Sequence, residues 1–174
     1  MYEEWARRKE TLSTLADYCK PACPRVDDEL IGKLKAVKNY GRGLFYSRQT
    51  LYAQYDMALH TADALKTQPL EVWKKLENQT ALGYVPTTEF PGQFGHIMGG
   101  YQVGYYGYMW SEVMALDMLS AFGDNLNNPE VGARYRKAIL SQGGQKKAEQ
   151  LVVDFLGREP DNKAFFQEIT GQRD

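Results

Sequence analysis

Histidine and cysteine are scarce in this chain, at two of each among 174 residues. A four-ligand His/Cys zinc site would need all four to converge, and His60 and His96 are far apart in sequence. Two cysteines are too few for a disulfide scaffold. Cys19 and Cys23, in CKPAC, read as free thiols of a reducing compartment, and the cytoplasm is the expected location. Charge of one sign is also missing: 21 Lys and Arg against 22 Asp and Glu leave a net charge of −1. That balance gives no electrostatic case for nucleic acid or an anionic membrane as partner. No apolar run approaches the roughly 20 residues of a membrane span. The opening MYEEWARRKE has no apolar signal-peptide core. What is abundant is tyrosine, twelve in all, with four of them between positions 101 and 108.

Helical periodicity dominates. Trp5, Leu12, Leu15 and Ala16 predict a helix over 2–18, ended by the proline-rich CKPACP. Asp27 and Asp28 suit the cap of a second helix whose Leu30, Ile31, Leu34 and Val37 form a core-facing stripe. A longer helix is expected from about Leu44 to Leu65. Pro69 suits the first turn of a fourth, closed by Gly83. Residues 83–100 have no periodicity, and a connection of that length is usually functional or disordered. Tyr84, Phe90, Phe94, Ile97 and Met98 within it argue against disorder. A helix over 101–122 follows, then shorter ones near 129–140, 145–156 and 161–169. No strand alternation, repeat or linker is visible. The class is all-α, a single helical unit over 1–174.

On a helix starting at 101, Tyr101, Tyr105, Tyr108 and Glu112 fall within roughly 60° of arc. Val103, Tyr106, Trp110, Val113 and Met114 occupy the opposite, core-facing side. The tyrosines read either as core residues with satisfied hydroxyls or as donors facing a cleft, suited to a developing oxyanion. Six of the sixteen glycines lie at positions 92, 95, 99, 100, 104 and 107. Such density permits close backbone approach and favours the cleft reading. His96, inside this stretch, is a candidate for proton or oxyanion chemistry. The lysine and Ser/Thr of a phosphate loop are absent after these glycines. His60, with Asp56 and Asp63 at −4 and +3, reads as a helix-surface histidine more readily than as a metal ligand.

The block FGHIMGGYQVGYYGYMWSEVMALDM strongly resembles the glycine-rich loop and following helix of the thimet oligopeptidase and neurolysin family of zinc metallopeptidases. Oligopeptidase A and dipeptidyl carboxypeptidase belong to the same group. MYEEW, GLFYSRQTLYAQYDMALHT, GARYRKAILSQGG and FLGREP extend the resemblance over the whole chain. It implies that His96 helps to bind substrate and stabilise the transition state without binding zinc. Tyr108 would donate to the tetrahedral oxyanion, and Tyr101 and Tyr105, with Gly99 and Gly100, would contact the substrate backbone. Gly95 and Gly104 would belong to the hinge of the loop.

The family's zinc motif, H-E-x-x-H, is absent: there is no His-Glu pair and no H-x3-H. The resemblance therefore implies the C-terminal part of a larger cytosolic peptidase, acting on short peptides. Zinc and general base would lie upstream of Met1, this chain would hold no metal, and alone it would be inactive. The missing part of the enzyme would be its partner, with dimerisation through the exposed apolar surface a further expectation. A non-catalytic helical peptide-binding module is the alternative.

Overall fold

The computed structural model describes residues 2–61 and 63–172. Every regular element among them is helical, as the periodicity predicts. The fold divides into two compact units: Gly41–Ser111, and the flanking segments up to Tyr40 and from Glu112 onward. No change of composition marks Gly41 or Ser111, so contacts formed across the chain set the division.

In the flanking unit, α1 (Tyr2–Ala6), α2 (Lys9–Thr14) and a 3-10 turn (Leu15–Tyr18) replace the continuous helix expected over 2–18. The break falls at Arg8, whose backbone is extended. Beyond it α1 is tethered elsewhere, through Trp5 Nε1 donating to Asn127 Oδ1 at 2.7 Å. Cys19 and Cys23 are not free thiols. They are joined as a disulfide, with Cα atoms 5.7 Å apart, a separation that suits a bridge.

Helix α3 (Asp28–Asn39) starts where its cap predicts, with Asp27 Oδ1 accepting the Leu30 N–H at 2.7 Å. Its apolar stripe is not a core face: Ile31 is buried, but Leu30, Leu34 and Val37 are 47, 45 and 70% exposed. Asn128 caps α8 (Pro129–Tyr135), which runs into a π-helical turn (Arg136–Leu140). Gly157, at φ +73°, closes α9 (Ala148–Leu156) in the left-handed region that glycine tolerates. Helix α10 (Lys163–Ile169) brings Ala164 against Leu116 and Leu119.

Among the ion pairs of the described residues in this unit, those of Glu168 and Asp117 have a buried carboxylate. Lys38 lies 2.8 Å from Glu4 and 3.0 Å from Glu168, joining α1, α3 and α10. Asp117, 1% exposed, accepts both Arg158 guanidinium arms and the Asp161 N–H. Burial would push its carboxyl up. The Arg158 hydrogen bonds, the Asp161 N–H and the Arg158 charge outweigh that and hold it below its ordinary value. Because the folded-state pKa is depressed, this stabilisation is present above about pH 4 and lost as pH falls through the folded value. Arg158→Ala is expected to cost about 3 kcal/mol at neutral pH, the low end for a broken buried pair because the guanidinium is 43% exposed. The deficit should shrink in acid as Asp117 protonates. Urea unfolding at pH 7 and pH 3 checks this, and a cost below about 1 kcal/mol at pH 7 removes the role.

The central unit is built on α4 (Arg42–Leu59), shorter than the helix expected to reach Leu65, with a 3-10 turn (Ala64–Lys66) beyond it. Helix α5 (Pro69–Glu77) carries Pro69 in its first turn, as predicted. Trp73 is fully buried in a core with Leu51, Tyr55, Phe94, Ile97 and Tyr105. The aperiodic stretch 83–100 is not wholly irregular: α6 (Phe90–Gln93) and a 3-10 turn (Gly95–Met98) lie within it. Phe90 and Phe94 anchor these turns by ring contacts to Tyr52 at 5.3 and 4.8 Å. Helix α7 (Gly107–Ser120) begins in this unit and ends in the flanking one.

Candidate active site

The helix expected from residue 101 starts instead at Gly107, and residues 102–106 are consecutive turns. The chain doubles back repeatedly. The Tyr101 N–H donates to the His96 carbonyl at 3.2 Å, Gly104 N–H to the Tyr101 carbonyl at 2.9 Å, and Gly107 N–H to the Gly104 carbonyl at 2.9 Å. A side chain would crowd this packing at two points: a Cβ on Gly99 would lie 3.0 Å from the Gly95 carbonyl oxygen, and one on Gly104 3.2 Å from that of Tyr101. Gly95, by contrast, has open space for a Cβ.

These turns gather His96, Tyr101, Tyr105 and Tyr108 into one aromatic cluster. The His96 ring meets all three tyrosines edge-on, at 5.9, 5.5 and 6.0 Å in chain order. Tyr101 and Tyr108 stack at 5.3 Å with planes 12° apart. Both are partly open to solvent, at 48 and 42%, whereas Tyr105 is 7% exposed and lies in the core. The even row expected on a helix face is thus a two-layer arrangement. Tyr105 is the floor, 5.0 Å from Tyr108, and His96, Tyr101 and Tyr108 are the accessible groups above it. The faces differ from expectation as well, since Val103, Tyr106 and Trp110, expected in the core, are 45, 53 and 62% exposed.

Tyr105 and Tyr108 each hold the phenol proton more tightly than a free tyrosine. A hydrogen bond with Tyr101, with lesser burial and neighbouring phenols, pushes the Tyr108 hydroxyl above its ordinary value. Burial does the same for Tyr105, with the Tyr52 phenol adding to it and a hydrogen bond from Gln49 opposing. A phenol kept neutral remains a hydrogen-bond donor over a wide pH range. Of the two, Tyr108 is open to solvent, and such a donor beside an imidazole suits a carbonyl oxygen that gains negative charge.

In the sequence Asp56 stands out only as a neighbour of His60. The structure places it at 0% exposure on α4, with Oδ1 accepting the Val103 N–H and Oδ2 the Tyr105 N–H, each at 3.0 Å. His60 Nδ1 lies 2.8 Å from the Asp56 carbonyl oxygen and 3.1 Å from Oδ1. Both neighbours are acceptors, so the ring proton sits on Nδ1. The spacing of four residues, which puts Asp56 and His60 on one helix face, was the available signal.

Among the described residues, no group of three or more His, Cys, Asp and Glu side chains could hold a metal ion. His60 Nδ1 is engaged by Asp56. Also among these residues, no helix is long and apolar enough to cross a membrane.

The chain is similar in sequence to known proteins. Saccharolysin of Saccharomyces cerevisiae is 34% identical over 174 residues, covering 97% of this chain and 24% of the relative. Oligopeptidase A of Escherichia coli is 34% identical over 171 residues, 95% of this chain and 25% of the relative. The thimet-like oligopeptidase of Dictyostelium discoideum is 30% identical over 173 residues, 97% and 26% respectively. The chain therefore spans about a quarter of the length of these relatives. The sequence profile of peptidase family M3 matches residues 1–171, and the chain belongs to that family.

Proposed function

We propose that this chain is the substrate-binding and oxyanion-stabilising part of a zinc oligopeptidase that hydrolyses short peptides. The observation that carries the reading is the convergence of His96, Tyr101 and Tyr108 as accessible donors over a buried Tyr105 floor. In this reading Tyr101 holds the peptide backbone and the turn at Gly99 and Gly100 lets the chain approach it. Tyr105 supports the ring of Tyr108 from beneath, and Gly95 and Gly104 let the loop adjust around the peptide. Tyr108 and His96 donate to the carbonyl oxygen as attack converts it into an oxyanion. Donors fixed in advance stabilise that charge without reorganising at the moment of reaction. The zinc and general base of the complete enzyme belong to residues outside this chain, in the part of the enzyme that is its natural partner.

The isolated chain is accordingly expected to hold no stoichiometric zinc and to cleave no peptide. Titration with a short peptide should still shift the ring NMR signals of His96, Tyr101 and Tyr108. One tightly held zinc by metal analysis, or chelator-sensitive cleavage by this chain alone, would overturn the division of labour. A peptide that bound while leaving all three rings unperturbed would overturn the site.

A further inference from the structure

The run Tyr101–Tyr106 has a helical pattern yet is not helical, and something must outweigh helix formation there. One residue in it is strained: Val103 sits at φ +60°, in the left-handed region that a β-branched side chain rarely adopts. Gly100, at φ +108°, adds a second turn of the wrong hand for a helix. Such conformations persist only where surrounding structure over-determines them.

Asp56 is the group placed to do so. A carboxylate at 0% exposure is costly unless its lone pairs are filled, and both oxygens here are filled from the turn itself. The two N–H groups flank Gly104, so the carboxylate clasps the backbone on either side of the point where the chain reverses. Extending α7 backward through 103 and 105 would turn these amides away and strand the buried charge. The aromatic rings follow the backbone. Fixing Tyr105 sets the floor under Tyr108, and fixing Val103 holds the turn whose other end carries Tyr101. His60, whose side chain is 29% exposed, closes the far side of the carboxylate.

We propose that Asp56, backed by His60, is the positioning residue of the site: its carboxylate holds the 101–105 turn out of helix and so sets Tyr101 and Tyr108 around His96. The effect on turnover rests on the oligopeptidase reading; the effect on the turn does not.

The test separates the two. In the 174-residue chain, Asp56→Asn keeps the volume but turns an amide N–H2 toward one of the donors. Hydrogen exchange at the Val103 and Tyr105 amides should quicken about tenfold or more, as loss of a bond to a charged acceptor implies, while Leu51 and Trp73 change less than about twofold. Should that variant fail to fold, His60→Ala leaves the carboxylate in place and is read the same way, with about threefold faster exchange expected at the same amides. Unchanged exchange at 103 and 105, or equal acceleration everywhere, overturns the proposal.

In a complete family member carrying this chain, Asp56→Asn should lower kcat with little change in KM. Added to Tyr108→Phe it should do little more than Tyr108→Phe alone, since one acts through the other. Fully additive losses overturn the positioning role. Faster exchange at 103 and 105 with a silent Tyr108→Phe removes Tyr108 from the oxyanion role and leaves Asp56 as the clasp of the turn.

Discussion

Tyr108→Phe, made in a complete family member that carries this chain, is expected to lower kcat by about 10²–10³-fold with little change in KM. The substitution removes one hydroxyl and keeps the ring, so the 5.3 Å stack on Tyr101 and the 5.0 Å contact with Tyr105 survive. What goes is a donor whose bond to the substrate oxygen strengthens as that oxygen becomes charged, and loss of such a bond appears in turnover rather than in ground-state affinity. Tyr101 hydrogen-bonds the same phenol and raises its pKa, so the donor persists into alkaline solution. The alkaline limb of the pH–rate profile set by Tyr108 should accordingly lie above the ordinary tyrosine range, near pH 10. Near-normal turnover for Tyr108→Phe would remove it from the oxyanion role, and a raised KM at constant kcat would make it a binding residue only.

Trp73→Ala is expected to cost about 4 kcal/mol, within the range seen when a buried aromatic is cut back to Ala. The side chain is 0% exposed, and its ring stacks on Phe90 at 4.6 Å and meets Tyr55 edge-on at 5.2 Å. Arg48 covers its face at 5.5 Å while reaching Glu77 Oε1 at 2.7 Å, so the cavity would also loosen that ion pair. The indole Nε1 has no hydrogen-bond partner, so no hydrogen bond is lost with it. Trp73→Phe should therefore recover much of it. Thermal unfolding should show Trp73→Ala lowered by roughly 10 °C and Trp73→Phe by markedly less. Equal losses for the two would mean that ring volume is not what Trp73 contributes.

Local signals read well wherever they act alone. Asp27 caps α3, Pro69 opens α5 and Gly157 closes α9, because each works through the few residues beside it. His96, Tyr101 and Tyr108 were legible as a set because glycine density and aromatic spacing coincide in one short stretch. The start of α7 was not. It is fixed by a carboxylate 47 and 49 residues away, and periodicity contains nothing of that. Likewise the stripe of Leu30, Leu34 and Val37 shows that α3 is amphipathic without saying whether this chain covers it. Cys19 and Cys23 were misjudged by counting, since composition reports how many thiols there are and not that two of them lie 5.7 Å apart by Cα.

The Lys38 ion group gives the two ends of the chain a common fate. Glu4 arrives from the first helix and Glu168 from the last, and a side chain only 13% exposed reads both. Clipping either end would leave the same ammonium short of a counter-charge, so trimming from opposite directions should produce the same weakness. An insertion is better placed in an exposed loop such as Gly143–Gly144 than in either of these helices.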